Sequence, residues 1–176
     1  MFPTHHQSAE FWESLGRAVA TFSFLEEVLG KAIFALTATR KYSEDEIEKA
    51  FEAWRPTLEN ALTGQLSNLA EKYGKVVKDN PETKNVSIDS LVNEIREASK
   101  IRNVLCHGSW RPSDSKEKSN PLFVSRQLEV FETDVDIEFF KQIQSHVAGL
   151  ALSVINAITQ MGYQFPGSTG EGKMIF

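Results

Sequence analysis

The sequence lacks several features by which protein classes are commonly recognised. Its 176 residues include one cysteine, Cys106, so an intrachain disulfide is excluded and a reducing, cytoplasmic location is expected. No apolar run approaches the roughly 20 residues that a membrane-spanning helix needs, and the N-terminus does not resemble a signal peptide. The formal net charge is −5, so a site for a polyanion such as RNA must be a local basic pocket.

Patterns typical of metal and nucleotide sites are also missing. The glycine-rich segment at 167–173 follows a helix and lacks the spacing and the final hydroxyl residue of a P-loop, so it does not indicate phosphate binding. The four histidines and the single cysteine are not grouped at the spacing of metal ligands. We therefore expect no metal ion and no cofactor.

Two long apolar seams dominate what is present. Between residues 9 and 39 the apolar side chains recur at alternating steps of four and three, as one face of a long helix requires, and Ser8 is placed to cap it. This seam consists of Phe11, Leu15, Ala18, Phe22, Leu25, Leu29, Ala32 and Leu36. A second seam, between 137 and 161, predicts a last helix that begins at 133 or 134 and ends near Gly162.

The middle of the chain predicts three more helices. Ser43 and Glu46 form a capping-box pattern for a short helix that Pro56 should end. A longer helix is expected over 57–78, with Gly64 as a weak point in it and not a break. A third long helix begins near 87, and Gly108 is placed to end it in the left-handed conformation.

The pattern changes after this helix. Leu122, Val124, Leu128 and Val130 occupy even positions with polar residues between them, which predicts a small β-hairpin. The expected fold is mainly all-α: an up-and-down four-helix bundle with an extra short helix and a small β-hairpin insertion after the third long helix. We expect a single helical domain over 1–163 and a flexible C-terminal tail over 164–176.

The third long helix contains the strongest local anomaly. Its apolar stripe has a charged side chain, Arg102, where an apolar one is expected. The stripe consists of Ile88, Leu91, Ile95, Ala98, Arg102 and Leu105. Asn103 follows directly, and His107 comes near the end of the helix. Between 95 and 111 there are four basic residues and one acidic residue, in an acidic chain. Because local rules tend to be broken at functional sites, we predict the site here.

Arg102, Asn103 and His107 resemble the motif of the HEPN (higher eukaryotes and prokaryotes nucleotide-binding) superfamily. That motif is an arginine, four to six spacer residues and a histidine, often with asparagine directly after the arginine. The resemblance implies a metal-independent endoribonuclease, often a toxin or antiviral effector, that leaves a 2′,3′-cyclic phosphate. It also implies a homodimer in which both motif copies line one cleft that binds RNA, and it allows for an antitoxin protein as a partner.

These residue types have the chemistry that such cleavage requires. His107 can act as the base for the 2′-hydroxyl or as the acid for the leaving oxygen near neutral pH. Arg102 stays charged and offers a planar fork to phosphate oxygens, and Asn103 can orient a phosphate or ribose group. Lys100 and Arg111 are further candidate binding residues.

The spacing of the motif constrains how it can work. Five residues on a straight helix correspond to a rotation of about 140° and a rise of about 7.5 Å. Arg102 and His107 therefore share a face only if the helix ends or loosens before His107, or if two chains each contribute one of them. An inward-facing arginine also needs a carboxylate or carbonyl partner, for which Glu26 on the first helix is a candidate.

Two other interpretations stay open. In one, the chain is a HEPN-like helical dimer without catalytic activity, in which Arg102 and His107 hold the dimer together or bind a nucleotide or a protein. The acidic composition favours this interpretation. In the other, an unrelated helical protein carries the motif by chance.

Overall fold

In the computed structural model the chain is mainly helical, as the sequence predicts. The structure describes residues 3–38, 43–83, 86–112, 114 and 118–169. A short 3-10 helix at Pro3–His6 precedes α1 (Ala9–Ala38), α2 (Ile47–Thr63), α3 (Leu66–Asp79), α4 (Asp89–His107) and α5 (Ile137–Gln160). The chain divides into two compact units: a first unit of Met1–Ser23 with Glu97–Ala148, and a second unit of Phe24–Arg96 with Gly149–Phe176.

The predicted seam of α1 is confirmed, because all eight of its side chains are buried. Ser8 caps the helix, since its Oγ accepts a hydrogen bond from the Phe11 N–H at 3.1 Å. The seam of α5 is buried in the same way at Phe140, Val147, Leu150, Val154, Ile158 and Met161. Both long helices are therefore held by their apolar faces.

The ends of α5 are set by local capping. The helix begins at Ile137, later than predicted, because the Asp136 carboxylate accepts a hydrogen bond from the Phe139 N–H at 2.8 Å. At its other end Gly162 has a φ of 89°, and the Tyr163 N–H bonds to the Ile158 carbonyl at 3.1 Å. This is a Schellman end, so the predicted stop near Gly162 is confirmed.

The predicted division of the second and third helices is wrong. The short helix was expected to end at Pro56, but α2 continues through Pro56 to Thr63, and the break falls after Gly64. The missing proline N–H is tolerated because α2 lies at the surface, where water can reach the carbonyl left unpaired. Gly64 is extended, and a Cβ there would lie 2.6 Å from the Asn60 carbonyl oxygen and 3.0 Å from the Leu69 side chain.

The capping-box residues are in contact, although α2 begins one turn later than that pattern predicts. The Ser43 hydroxyl donates to the Glu46 carboxylate at 2.6 Å, and the Ser43 N–H does so at 3.4 Å. These hydrogen bonds stabilise the ionised form and lower the pKa of the Glu46 carboxyl.

The predicted hairpin does not form strands in the part of the chain that the structure describes. Only isolated antiparallel bridges occur, at Ser109–Leu122, Ser119–Val135 and Val124–Val130. Ser125 closes the turn, because its Oγ accepts hydrogen bonds from the N–H groups of Gln127 and Glu129. Pro121 stands directly before Leu122 and has no N–H to donate, so it cannot extend the Ser109–Leu122 bridge as a donor.

Close backbone approaches pack the second unit. A Cβ on Gly30 of α1 would lie 2.7 Å from the Ala61 carbonyl oxygen of α2, and one on Gly74 of α3 would lie 3.2 Å from the Val92 side chain of α4. The buried face of α3 consists of Leu66, Leu69, Ala70, Tyr73, Gly74, Val76 and Val77. Glycine at positions 30 and 74 lets the neighbouring helices approach closely.

The predicted tail is described only in part. Phe165 is buried, and the Ser168 N–H bonds to its carbonyl at 3.0 Å. Residues 170–176 lie outside the described residues, so the boundary at residue 163 and the flexible tail over 164–176 stay predictions.

Two glycines of α1 provide a matched pair for testing this packing. Gly30→Ala should lower the free energy of unfolding by about 1–3 kcal/mol, because its Cβ would meet the Ala61 carbonyl. Gly16→Ala has no atom within 4 Å of its new Cβ and should raise stability by about 1 kcal/mol through helix propensity. Urea unfolding followed by circular dichroism measures both, and equal effects would contradict the close approach of α1 and α2.

Tyr73 provides a second test. Its side chain is fully buried, and its hydroxyl has no hydrogen-bond partner within the described residues. Tyr73→Phe should therefore raise stability by about 1 kcal/mol, because an unpaired polar group is removed from the interior. Tyr163→Phe is the control and should lower stability by a similar amount, about 1 kcal/mol. Its hydroxyl accepts from Asn80 at 2.8 Å and donates to Glu82 at 3.0 Å.

Burial raises the pKa of the Tyr73 phenol, which adds a pH dependence to this test. Because the folded protein keeps the phenol protonated, the free energy of unfolding is unaffected by this group below its unfolded-state pKa of about 10. It decreases as the pH rises above that value. Tyr73→Phe should remove part of that alkaline loss. A destabilised Tyr73→Phe variant would show that the hydroxyl has a partner.

Candidate functional site

The motif lies at the C-terminal end of α4, which remains helical through His107. The helix then stops at Gly108, whose N–H bonds to the Val104 carbonyl at 2.8 Å. The prediction that Gly108 adopts the left-handed conformation is wrong, since its φ is not positive. The glycine is required by crowding instead, because a Cβ would lie 2.6 Å from the Val104 carbonyl oxygen and 3.0 Å from Pro121.

The chain directly after the motif is fixed by aromatic packing in the first unit. Trp110 lies edge-on to Phe11 of α1 at 5.3 Å between ring centroids, and to Phe140 of α5 at 5.8 Å. Phe11 and Phe140 are 5.1 Å apart. Ser109 adds two backbone hydrogen bonds to Leu122, at 3.0 and 2.9 Å. The end of α4 is thus held from both sides, which gives the motif residues a defined backbone.

Asn103 and His107 share one exposed face of α4. They are four residues apart on a regular helix, so their side chains are neighbours one turn apart. Lys100 lies one turn before Asn103 and is also exposed. Its ammonium group forms an ion pair with Glu97 at 2.8 Å, and both side chains are well exposed, so water screens the pair strongly. The structure therefore brings three of the predicted site residues together.

Arg102 points away from this face. Because α4 does not loosen before His107, the two side chains are about 140° apart around the axis and about 7.5 Å apart along it. Of the two alternatives left open by the spacing, the one in which the helix ends or loosens before His107 is therefore wrong. Arg102 is half-buried, and its stripe neighbours Ala98 and Leu105 are buried. Its position on the apolar seam is as predicted, and it does not share the His107 face within one chain.

The remaining candidate residues have different surroundings. Arg111 is exposed, and its backbone carbonyl accepts hydrogen bonds from the Gln7 side chain and from the Ser119 hydroxyl, the latter at 2.7 Å. Arg111 thus orders the segment after α4 through the hydrogen bonds of its backbone carbonyl. Glu26 is half-buried in the second unit, whereas Arg102 belongs to the first, so their pairing stays a prediction.

Other features of the first unit do not coincide with the motif. A shallow polar depression lies on α1 and α5, and is lined by Glu10, Glu13, Ser14, Arg17, Lys141 and Gln144. Its charges are partly compensated, since Arg17 pairs with Glu13 at 2.7 Å. No sequence signal marks this depression, because its lining consists of ordinary polar side chains beside the buried seams.

Residues 3–38, 43–83, 86–112, 114 and 118–169 contain neither a metal cluster nor a membrane-spanning helix. No group of three or more histidine, cysteine or acidic side chains is arranged there to hold a metal ion. No described helix is both long and apolar enough to cross a membrane.

The geometry at the end of α4 is the basis for any functional assignment. Comparison with models of protein families, with curated proteins and with solved structures finds no significant match to this chain.

Proposed function

We propose that the chain is a metal-independent endoribonuclease of HEPN type that acts as a homodimer and leaves 2′,3′-cyclic phosphate ends. The observation that carries this proposal is the exposed pair of Asn103 and His107, one turn apart at a helix end that is fixed by Trp110. The pair combines an imidazole, which can donate or accept a proton, with an amide that hydrogen-bonds phosphate or ribose. We also propose that the helices form an up-and-down four-helix bundle and that the chain acts as a toxin or antiviral effector.

In the proposed reaction His107 takes the proton from a ribose 2′-hydroxyl. The 2′-oxygen then attacks the adjacent phosphorus, and the bond from phosphorus to the 5′-oxygen breaks. The cyclic phosphate forms on one fragment, and the 5′-oxygen of the other fragment leaves with a proton from a protonated histidine. The guanidinium of Arg102 stabilises the negative charge that collects on the phosphorane oxygens.

The two-chain arrangement follows from the regular helix. Within one chain Arg102 and His107 are about 140° apart around α4, so they do not converge on one phosphate. Two copies related by a twofold axis bring the arginine of one chain to the histidine of the other. Each pair of one arginine and one histidine then forms one site, in which the histidine that has taken the 2′-hydroxyl proton can return it to the leaving 5′-oxygen.

A second candidate function is a HEPN-like dimer without catalytic activity that binds a nucleotide or a protein, such as an antitoxin. Two observations favour it. The chain has a net charge of −5, which opposes general attraction of RNA, and Lys100 is engaged with Glu97. In this case Arg102 and His107 contribute to an interface and not to proton transfer.

Substitution of the motif residues distinguishes these functions. In EDTA, the wild-type chain should cleave mixed RNA, and His107→Ala should lower the rate by about 100-fold or more, since it removes the acid–base group. Arg102→Ala should lower it by a similar factor, about 100-fold, through lost transition-state stabilisation. Gel electrophoresis measures the rates, and mass spectrometry identifies the cyclic phosphate.

Two exposed residues serve as matched controls. His146→Ala removes an exposed histidine of α5, and Arg126→Ala removes an exposed arginine in the turn after Val124. Both should retain wild-type cleavage and circular dichroism spectra. Intact RNA with the wild-type chain across several pH values would contradict the ribonuclease function. If Arg102→Ala and His107→Ala then change the sedimentation of the chain, the non-catalytic dimer is supported.

A further inference from the structure

Helix α2 exposes an apolar stripe at the surface of the second unit. Of its 17 residues only Ala61 is buried. Ile47, Phe51 and Leu62 are 52%, 57% and 75% exposed, although helical geometry places them within about 60° of one another around the axis. Most large apolar side chains of the described chain are buried in the seams of α1, α3 and α5. A stripe of this size left exposed is typical of a binding surface.

Aromatic rings join part of this stripe to α1 and order it. Trp54 lies between Phe51 and Phe34 of α1, with ring centroids 6.1 and 5.7 Å away. Its indole N–H donates to the Thr37 hydroxyl at 2.9 Å, which fixes the ring on α1. Phe34 is itself 40% exposed. We call these five residues the α2 stripe: Phe34, Ile47, Phe51, Trp54 and Leu62. Because its central ring is already ordered, a partner would lose little side-chain entropy on binding it.

One edge of the α2 stripe is acidic. Glu48 and Glu52 lie about 100° and 140° around the helix from Ile47, one turn apart from each other. Neither has an ion pair within the described residues, whereas Arg55 is engaged with Glu59 at 3.1 Å. From 43 to 59 the sequence has six acidic and two basic residues. The stripe is therefore bordered by negative charge that forms no ion pair with any residue of the described ranges.

The sequence of α2 places unfavourable features together in this helix. Glu48 and Glu52 are like charges at a spacing that destabilises a helix, and Pro56 removes a hydrogen bond from its interior. Large apolar side chains are also left in contact with water. A basic partner that covered the stripe would offset the charge repulsion and the exposure at once, but not the effect of the proline.

Charge selects among the partners that could cover the α2 stripe. A second copy packed stripe to stripe would bring two acidic edges together, and an anionic membrane surface would be repelled. An amphipathic helix with lysine or arginine beside its apolar face fits both the stripe and its edge. We propose that the α2 stripe is the docking site for a basic amphipathic helix of another protein. This interaction does not depend on whether the chain cleaves RNA.

The test uses the full chain and a synthetic probe. The probe is a fluorescein-labelled amphipathic helix of leucine and lysine, about 18 residues long to match α2. Fluorescence anisotropy should show saturable binding. Phe51→Ala and the double variant Glu48→Lys/Glu52→Lys should each raise the Kd by about tenfold or more, through lost apolar burial and reversed charge respectively.

Matched variants distinguish binding at the α2 stripe from the general effects of losing an exposed apolar side chain or changing the net charge. Leu152→Ala removes a leucine that is 58% exposed on α5, and Glu129→Lys/Glu132→Lys changes the net charge by the same amount elsewhere. Both should leave the Kd within about twofold of wild type if only the stripe binds the probe. Circular dichroism should confirm that Phe51→Ala stays folded, as expected for an exposed residue.

Several outcomes would overturn the docking site. Absence of saturable binding would do so, as would an equal loss of binding in the control variants. Binding that survives replacement of every lysine of the probe by glutamate would show that charge complementarity plays no role. Self-association of the wild-type chain that is lost in Phe51→Ala would indicate a second copy as the occupant. Binding to neutral phosphatidylcholine vesicles through Phe51 would indicate a lipid surface.

Discussion

The hydrogen bond from the Gly108 N–H to the Val104 carbonyl is the interaction on which the candidate site depends. It continues the α-helical ladder to the last residue of the motif, so α4 keeps its regular twist through His107. A regular twist groups Asn103 with His107 and directs Arg102 elsewhere. If this turn were loosened, one chain could bring all three side chains to a single phosphate. With the turn intact, the proposed ribonuclease site needs a second chain to bring an arginine to the histidine.

This constraint is maintained by packing on both sides of the helix end. Ala98 before the motif and Leu105 within it are buried, and after the motif Trp110 packs on Phe11 and Phe140. Gly108 permits the sharp exit because the Val104 carbonyl and Pro121 leave no room for a Cβ. The motif is therefore an exposed edge on a rigid support, which is the arrangement that precise positioning of a reacting group requires.

Much of the fold could be predicted from apolar periodicity, because burial of a seam depends on local spacing. The eight seam residues of α1 and the motif helix are examples. The break between α2 and α3 could not be predicted in this way. It depends on whether water can reach the carbonyl opposite Pro56 and on how closely Leu69 approaches Gly64. The hairpin arms have an alternating pattern, yet form only isolated bridges, because pairing also depends on neighbours that alternation does not encode.

For the motif and the α2 stripe, too, local spacing could be read from the sequence but tertiary packing could not. Arg102 was recognisable as a charge on an apolar seam, and the 140° offset followed from helix geometry. That the helix stays regular through His107 depends on the packing around Gly108 and Trp110. The exposed α2 stripe was not recognisable either. Its spacing is that of an ordinary buried face, and only the structure shows which apolar faces stay uncovered.

The claim that a complete site needs two chains is tested most directly by mixing two inactive variants. Purified Arg102→Ala and His107→Ala chains are combined under conditions that allow subunit exchange, and RNA cleavage is measured. If the arginine of one chain works with the histidine of the other, random exchange makes about half of all dimers mixed, and each mixed dimer carries one intact site of two. About a quarter of the wild-type activity should therefore return. Mixed chains that stay as inactive as each variant alone, although the wild-type chain cleaves RNA, would contradict the two-chain site.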